Sequence, residues 1–327
     1  MSLNFTAGSF PGIAPNLTSI TQCTVELCSL DYAVIRYLPN FAGNVLYLSC
    51  FALLLVTHAV QCCVYRTYSY TFSMIAGFIL EIIGYLGRIQ MHNNPFLSNP
   101  FLLYIICLTI GPVFFTAALY ITLSRVIVFY GTQYSRLSPK AYTLTFITFD
   151  IIALVLQALG GALADTADTP AGSRTGINIM IAGLAFQVAS LLGFVVLCAE
   201  FFYKVHKSPR MGSRGENGVS LRFLIIAFAL ATLFILIRST FRMAELYEGF
   251  DGKLANEQAP FMIFEGAMII FATALMTAFH PGRYLSKQWG VAGWNFRKSK
   301  RQAGAGSGGK TRISSLDETR RLEMDRY

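Results

Sequence analysis

The sequence is poor in charged residues, which make up 13% of its 327 residues. Soluble domains carry about a quarter of their residues as charged side chains. The mean hydropathy is correspondingly high, at +0.52, and 54% of the residues are hydrophobic. This shortage of charge excludes an ordinary soluble domain and directs attention to the long apolar runs.

Seven apolar runs are long enough to cross a hydrocarbon core, which requires about 20 residues each. They lack the alternation of half-buried strands, and a spanning segment has to satisfy its own backbone hydrogen bonds. We therefore predict an all-α polytopic membrane protein. Its seven transmembrane helices are expected near Val45–Cys63, Phe72–Arg88, Phe101–Val128, Tyr142–Ala164, Ile177–Phe202, Leu221–Arg238 and Pro260–His280.

The sequence lacks the residues that several familiar functions require. No lysine lies within a predicted span, which excludes a retinal Schiff base there, and the chain has only 4 histidines for haem. The run 304–311 matches the P-loop pattern, but no buried strand precedes it and no apolar helix follows it. We see no nucleophile–base pair of an enzyme, and we expect no cofactor and no metal ion.

The formal net charge of +9 is unevenly placed along the chain. Basic residues are concentrated in the first, third and fifth connections and in the tail after His280. The positive-inside rule then predicts an N-terminus outside and a C-terminus in the cytosol. We expect the basic tail to meet anionic lipid of the inner leaflet, and we expect no nucleic acid as a partner.

This orientation divides the chain into three predicted parts. Residues 1–40 form an extracellular segment, 41–282 the membrane domain, and 283–327 a cytosolic, basic and largely disordered tail. Acceptor sequons at Asn4 and Asn16 predict glycosylation of the outer segment. Cys23 and Cys28 in the same segment are either disulfide-bonded or free thiols, and the sequence leaves both alternatives open.

Ionisable residues inside the spans are the main functional signal, because each costs several kcal/mol in lipid unless it is paired or hydrated. Helical spacing places most of them on shared faces. Glu81 and Arg88 lie at i and i+7, and so do Asp150 and Gln157. The remaining members of this candidate site are Arg238, Arg242 and Glu245, at i, i+4 and i+7, and Glu265.

Two interpretations of these charges remain open. They form either a structural ion-pair network that sets helix register, or a polar cavity that binds an amphipathic ligand or carries protons. In the second interpretation, a lipid amine lies against Glu81 or Glu265, and Arg238 and Arg242 keep those carboxylates ionised. Proton exchange at Glu81 or Asp150 would then drive movement.

Short motifs in a fixed order give the sequence a resemblance to the fungal lipid-translocating exporters, also called RTA-like proteins. The resemblance covers residues 37–282. Its carriers are Tyr37 with Pro39 and Asn44, His58, Glu81-x-x-Gly84-Tyr85-x-x-Arg88, Pro112 with Ala118 and Tyr120, Asp150 with Gln157 and Gly160-Gly161, Gly183-Leu184 with Gln187, Arg238-Ser239-x-Phe241-Arg242-x-x-Glu245 with Gly249, and His280-Pro281-Gly282. Glu265 departs from the aspartate expected in many relatives but keeps the acid.

The resemblance implies transport or efflux of amphipathic molecules, such as sphingoid long-chain bases, and resistance to sterol-like or other toxic lipophiles. It assigns no catalytic residue. The plasma membrane is the expected location, with an endomembrane as the alternative. Two other functions stay open: a receptor-like sensor of lipid or stress, and a regulator of another transporter.

Overall fold

The computed structural model describes residues 23–25, 27–30, 33, 35–167, 169–207, 215–247, 252 and 254–289. Several predictions fall outside these residues. They include the sequons at Asn4 and Asn16, part of the basic connection at 208–214, and the tail beyond Trp289 with the P-loop-like run.

Helices account for the regular structure of the described residues, and no strand occurs among them. Seven helices are long and apolar enough to cross a membrane, which confirms the predicted all-α membrane protein. They are α1 (Phe41–Tyr65), α2 (Tyr68–Asn93), α3 (Ser98–Tyr130), α4 (Pro139–Thr166), α5 (Pro170–His206), α6 (Gly215–Tyr247) and α7, which consists of Gln258–Pro260, a π-helical segment Phe261–Ala267 and Met268–Ala278; a shorter α8 (Pro281–Trp289) follows.

Several helices begin at residues whose side chains bond the free amides of the first turn. Asn40 caps α1 by accepting from the Gly43 amide, and Ser138 caps α4 by accepting from the Ala141 amide. α4 and α5 also begin with a proline, a residue that has no amide to leave unpaired at that position. Local sequence therefore sets where these helices start.

The helices pack in chain order, and α7 packs against α1 as well as α6, so that the seven form a closed ring. Contacts between α3 and α6 cross this ring. α3 is the most buried helix, and α1 is the most exposed. The polar residues of α2, α3, α6 and α7 are thereby directed toward one interior.

Glycines allow α4 and α5 to approach closely. A Cβ at Gly160 would lie 2.6 Å from the carbonyl oxygen of Gly176, and one at Gly183 would lie 2.9 Å from that of Ala153. Small residues at such contacts are typical of helix pairs in membranes.

All seven helices differ by some residues from the spans expected from hydropathy, and the C-terminal end of α6 differs most. α6 continues without a break to Tyr247, beyond the expected end at Arg238, and so contains Arg242 and Glu245. α7 ends at Ala278, just before the expected end at His280, and its first half is π-helical. Hydropathy detects only the apolar part of a helix, whereas backbone hydrogen bonding continues through polar residues.

The N-terminal residues that the structure describes pack on the α2–α3 connection. Cys23 and Cys28 are disulfide-bonded, and they pack with Phe96. The Asn94 side-chain amide donates to the Cys23 carbonyl oxygen at 3.3 Å. We call this side of the bundle, where α1 and α3 begin, the disulfide end.

Candidate substrate-binding site

An ion pair between Arg238 of α6 and Glu265 of α7 lies at the centre of the candidate site. The two side chains are 3% and 2% exposed. Arg238 Nη2 donates both to Glu265 Oε1 and to the carbonyl oxygen of Leu108 on α3. One guanidinium therefore connects three helices.

Arg242 forms a second buried ion pair within α6. Its Nη1 lies 2.6 Å from Glu245 Oε2, one turn further along the same helix. Arg242 thus bonds Glu245 directly and interacts with Glu265 electrostatically. A carboxylate three residues away on the same helix is within reach without any tertiary packing.

Arg88 is fully buried, and aromatic rings rather than a carboxylate surround it. The guanidinium carbon lies 3.7 Å from the centroid of the Phe261 ring and 5.1 Å from that of Tyr104. Nη2 donates to the Tyr37 hydroxyl at 2.8 Å, and Nε donates to Asn44 Oδ1 at 3.3 Å. Cation–π attraction and neutral hydrogen-bond acceptors therefore stabilise Arg88, in place of the ion pair that the charged residues of the spans suggested.

Glu81 is the buried acid of this group that has no ion pair among the described residues. Its side chain is 2% exposed, and Oε1 has no hydrogen-bond partner there. It interacts electrostatically with Arg238 and Glu265. An unsatisfied buried carboxylate oxygen costs more than the ~1–3 kcal/mol of a neutral group.

Two further oxygens near Glu81 also lack partners among the described residues. They are the Tyr85 hydroxyl and Glu265 Oε2. Tyr85 interacts electrostatically with both Glu81 and Glu265. We call Glu81 Oε1, the Tyr85 hydroxyl and Glu265 Oε2 the acceptor triad.

Glycines face two members of the triad at close range. A Cβ at Gly111 of α3 would lie 2.9 Å from Glu81 Oε1, and a Cβ at Gly266 would lie 2.7 Å from the Tyr85 hydroxyl. The same Cβ at Gly266 would overlap the Tyr47 ring. No motif or spacing in the sequence pointed to Gly266.

The π-helical segment of α7 determines where Glu265 and Gly266 lie. The Tyr47 hydroxyl of α1 donates to the Met262 carbonyl oxygen at 2.8 Å, within this segment. Such segments occur frequently at functional sites. The sequence analysis missed it, and Pro260, which has no amide to donate, was the available signal for irregular pairing.

Asp150 and Gln157 bond outside this group. Asp150 Oδ2 accepts from Thr116 Oγ1 of α3 at 2.9 Å, whereas Gln157 Nε2 donates to Gln187 Oε1 of α5 at 3.0 Å. The structure thus divides the eight candidate residues. Six interact around the Arg238–Glu265 pair, and two connect α4 to its neighbours: Glu81, Arg88, Arg238, Arg242, Glu245 and Glu265 belong to the first set, and Asp150 and Gln157 to the second.

Comparison with known proteins agrees with the architecture. The family model described as RTA1 like protein matches residues 74–288, which contain all eight candidate residues. A Saccharomyces cerevisiae protein named sphingoid long-chain base transporter RSB1 is 36% identical over 276 residues, covering 75% of this chain and 72% of the relative. Protein RTA1 of the same organism is 28% identical over 207 residues, covering 63% of this chain and 64% of that protein.

No solved structure matches the chain. The family model spans about two thirds of the sequence, from within α2 to the end of the described residues. The resemblance that the motifs indicated is therefore confirmed, and the chain is an integral membrane protein that belongs to the RTA1-like family.

Proposed function

We propose that this protein moves amphipathic lipid amines, of the sphingoid long-chain-base kind, across a membrane. The observation that carries the proposal is the acceptor triad, which places three unsatisfied oxygens inside a helical bundle. The name of the 36% identical relative, a sphingoid long-chain base transporter, supports the same chemistry.

A primary ammonium group has three N–H donors and no acceptor, as in the side chain of lysine. The triad offers two carboxylate oxygens and one hydroxyl oxygen, so the number of acceptors equals the number of donors. Binding would end the cost of leaving these buried oxygens without partners.

Charge supports a cation in the same place. When both are ionised, Glu81 and Glu265 carry two negative charges, and the ion pair with Arg238 compensates one of them. Arg88 is the remaining balancing charge, but it lies seven residues beyond Glu81 along α2, about 10 Å at 1.5 Å per residue. A bound ammonium would supply the missing positive charge at contact distance.

The energy source that we propose is proton exchange at an acid in the bundle. Glu81 is the first candidate because no arginine pairs with it among the described residues. Asp150, which accepts a hydrogen bond from the Thr116 hydroxyl, is the second. A proton gradient would then drive the exchange of a proton for the ammonium group of the lipid at the same carboxylate.

The remaining parts of the proposal concern the setting of the protein. We place the N-terminus outside with glycans on Asn4 and Asn16, the basic tail on anionic lipid of the inner leaflet, and the protein in the plasma membrane. Removal of toxic lipophiles, including sterol-like compounds, would confer resistance on the cell.

The test is amine movement by purified protein in liposomes, with and without a pH gradient. We expect Glu81→Gln to lower flux at least tenfold while the protein stays folded. Glu200→Gln is the matched control, because Glu200 pairs with Arg136 and Lys204 away from the triad. Wild-type flux in Glu81→Gln would remove the triad from the mechanism.

The same assay separates transport from the competing functions. Wild-type protein that binds the amine but does not move it would be a sensor, and truncation after Trp294 should then abolish its cellular output. Wild-type protein that neither binds nor moves the amine would fit a regulator of another transporter.

A further inference from the structure

A cavity of about 190 Å³ lies between α3, α5 and α6. Leu119 and Thr122 of α3 and Leu224 of α6 form part of its wall and are at most 2% exposed, so the cavity reaches into the bundle. Ala199 of α5 and Ala229 of α6 also contribute to the wall and are exposed. The cavity therefore opens sideways between α5 and α6, toward the surrounding lipid.

The lining of the cavity is almost entirely apolar. Its two threonine hydroxyls bond carbonyl oxygens of their own helices: Thr122 donates to Ala118 at 2.9 Å, and Thr232 donates to Phe228 at 2.7 Å. Buried water requires two to four polar partners, and a water molecule needs only about 15 Å³ of such volume. A much larger cavity without free polar groups is suited to hydrocarbon.

The cavity and the acceptor triad follow one another along the same helices. On α6, Arg238 beside the triad is followed toward the opposite end by Thr232 and Leu224 of the cavity. On α3, Gly111 beside Glu81 is followed in the same direction by Leu119. On both helices, the triad and the apolar cavity therefore follow one another in the same direction.

The length of this arrangement fits a lipid. At 1.5 Å per residue, Thr232 and Leu224 are about 12 Å apart along α6, and Arg238 and Leu224 about 21 Å. One leaflet of a bilayer contributes about 15 Å of hydrocarbon. The distance along the helices from the triad to the far wall of the cavity is thus comparable with the length of a lipid chain.

We propose that the cavity between α3, α5 and α6 holds the hydrocarbon chain of the lipid amine while its ammonium group lies at the acceptor triad. This inference rests on the proposed function and adds to it a site for the chain. The cavity then sets the selectivity for the chain length of the substrate, whereas the triad recognises its charge. The competing occupant is the acyl chain of an ordinary membrane phospholipid.

Cys198 lies in the wall of the cavity and provides a direct test of occupancy. A variant that keeps Cys198 and the Cys23–Cys28 disulfide, with Cys50, Cys62, Cys63 and Cys107 replaced by alanine, is labelled in detergent with a lipophilic maleimide. We expect an 18-carbon sphingoid base to slow labelling at least fivefold and a 6-carbon amine to have no effect. Equal protection by phospholipid, or none by the base, would overturn the proposal.

The second test is chain-length selectivity in the liposome assay. Ala229→Phe fills the mouth of the cavity and should lower the ratio of 18-carbon to 6-carbon amine flux at least tenfold. Leu230→Phe, on the neighbouring exposed residue outside the lining, should change that ratio less than twofold. An unchanged ratio in a folded Ala229→Phe protein would place the chain elsewhere.

These two tests keep the inference separate from the proposed function. If wild-type protein moves neither amine, the transport proposal fails, and the labelling of Cys198 still reports whether the chain occupies the cavity. If flux is present but Ala229→Phe behaves like Leu230→Phe, the transport proposal stands and the chain site is wrong.

Discussion

Glu265 and Glu81 lie within electrostatic range of one another inside the bundle, yet Arg238 pairs with Glu265 alone. Both carboxylates are 2% exposed. Removal of one partner of such a pair is strongly destabilising, because it leaves an uncompensated charge inside the bundle. The unequal pairing leaves Glu81 as the carboxylate of the two that has no ion pair among the described residues.

The buried Arg238–Glu265 pair should be strongly coupled. We expect Arg238→Met and Glu265→Gln each to lower the free energy of unfolding by about 3–5 kcal/mol. The double variant should lose clearly less than the sum, because neither partner then remains alone. A double-mutant cycle from denaturant unfolding in detergent measures this coupling.

The control for this cycle is the exposed pair of Arg136 and Glu200. Its Arg136 side chain is 68% exposed, and exposed pairs contribute little. Arg136→Met with Glu200→Gln should therefore show a far smaller coupling. Additive effects at Arg238 and Glu265 would contradict the pairing in the structure.

A side chain at Gly266 should disturb the triad. The Cβ of Gly266→Ala would meet the Tyr85 hydroxyl and the Tyr47 ring. We expect a loss of about 1–3 kcal/mol in the free energy of unfolding, as for other overpacked sites, together with reduced amine flux.

Gly193 of α5 provides the matched control, since a Cβ there would have nothing within 4 Å. Alanine favours a helix over glycine by up to about 1 kcal/mol, so Gly193→Ala should be neutral or stabilising. Thermal unfolding and flux measured side by side test the contrast. Equal behaviour of the two variants would show that Gly266 is not tightly enclosed.

The aromatic surroundings of Arg88 predict that lysine cannot replace it. Lysine keeps the charge but lacks the planar guanidinium that stacks on the Phe261 ring and bonds Tyr37 and Asn44. We expect Arg88→Lys to lower the free energy of unfolding by about 2 kcal/mol, the scale of a desolvated cation–π contact.

Phe261→Leu tests whether the ring is responsible for this loss. It should destabilise wild-type protein more than it destabilises Arg88→Lys, because the stacking contact is already gone in the second background. Chemical denaturation of the four proteins gives the comparison. The same loss in both backgrounds would assign the effect to volume alone.

The separation of Asp150 from the triad predicts additivity. Asp150 bonds Thr116, and within the described part of the chain it shares no hydrogen bond or ion pair with Glu81. The effects of Asp150→Asn and Glu81→Gln on the free energy of unfolding should therefore add to within about 0.5 kcal/mol. A larger deviation, measured by denaturant unfolding of both single variants and the double, would indicate direct coupling.

Much of the candidate site is visible in the sequence because helical spacing is local. Glu81 and Arg88 are seven residues apart, as are Asp150 and Gln157, and all four are buried as that spacing predicts. The partner of a charge on another helix was not visible. Arg242 bonds Glu245, three residues away on its own helix, whereas Arg238 has no acid three or four residues further along and reaches across to Glu265 of α7.

The cavity and the π-helical segment were also beyond the sequence. The cavity consists of ordinary leucine, phenylalanine and alanine residues, which read as core or lipid-facing positions in any span. The π-helical segment depends on contacts such as that of Tyr47 with Met262, which are 215 residues apart in the chain. No local propensity encodes a contact at that separation.

The sequence by itself determined the seven spans, the polar faces of α2, α4 and α6 and the family, because hydropathy, helical period and motif order are properties of neighbouring residues. The tertiary structure alone decided that α7 closes the ring against α1, that Glu265 pairs with Arg238 while Glu81 does not, and that a chain-sized cavity follows the triad. Those outcomes depend on which helices meet and at what depth, and side-chain packing across the bundle sets both.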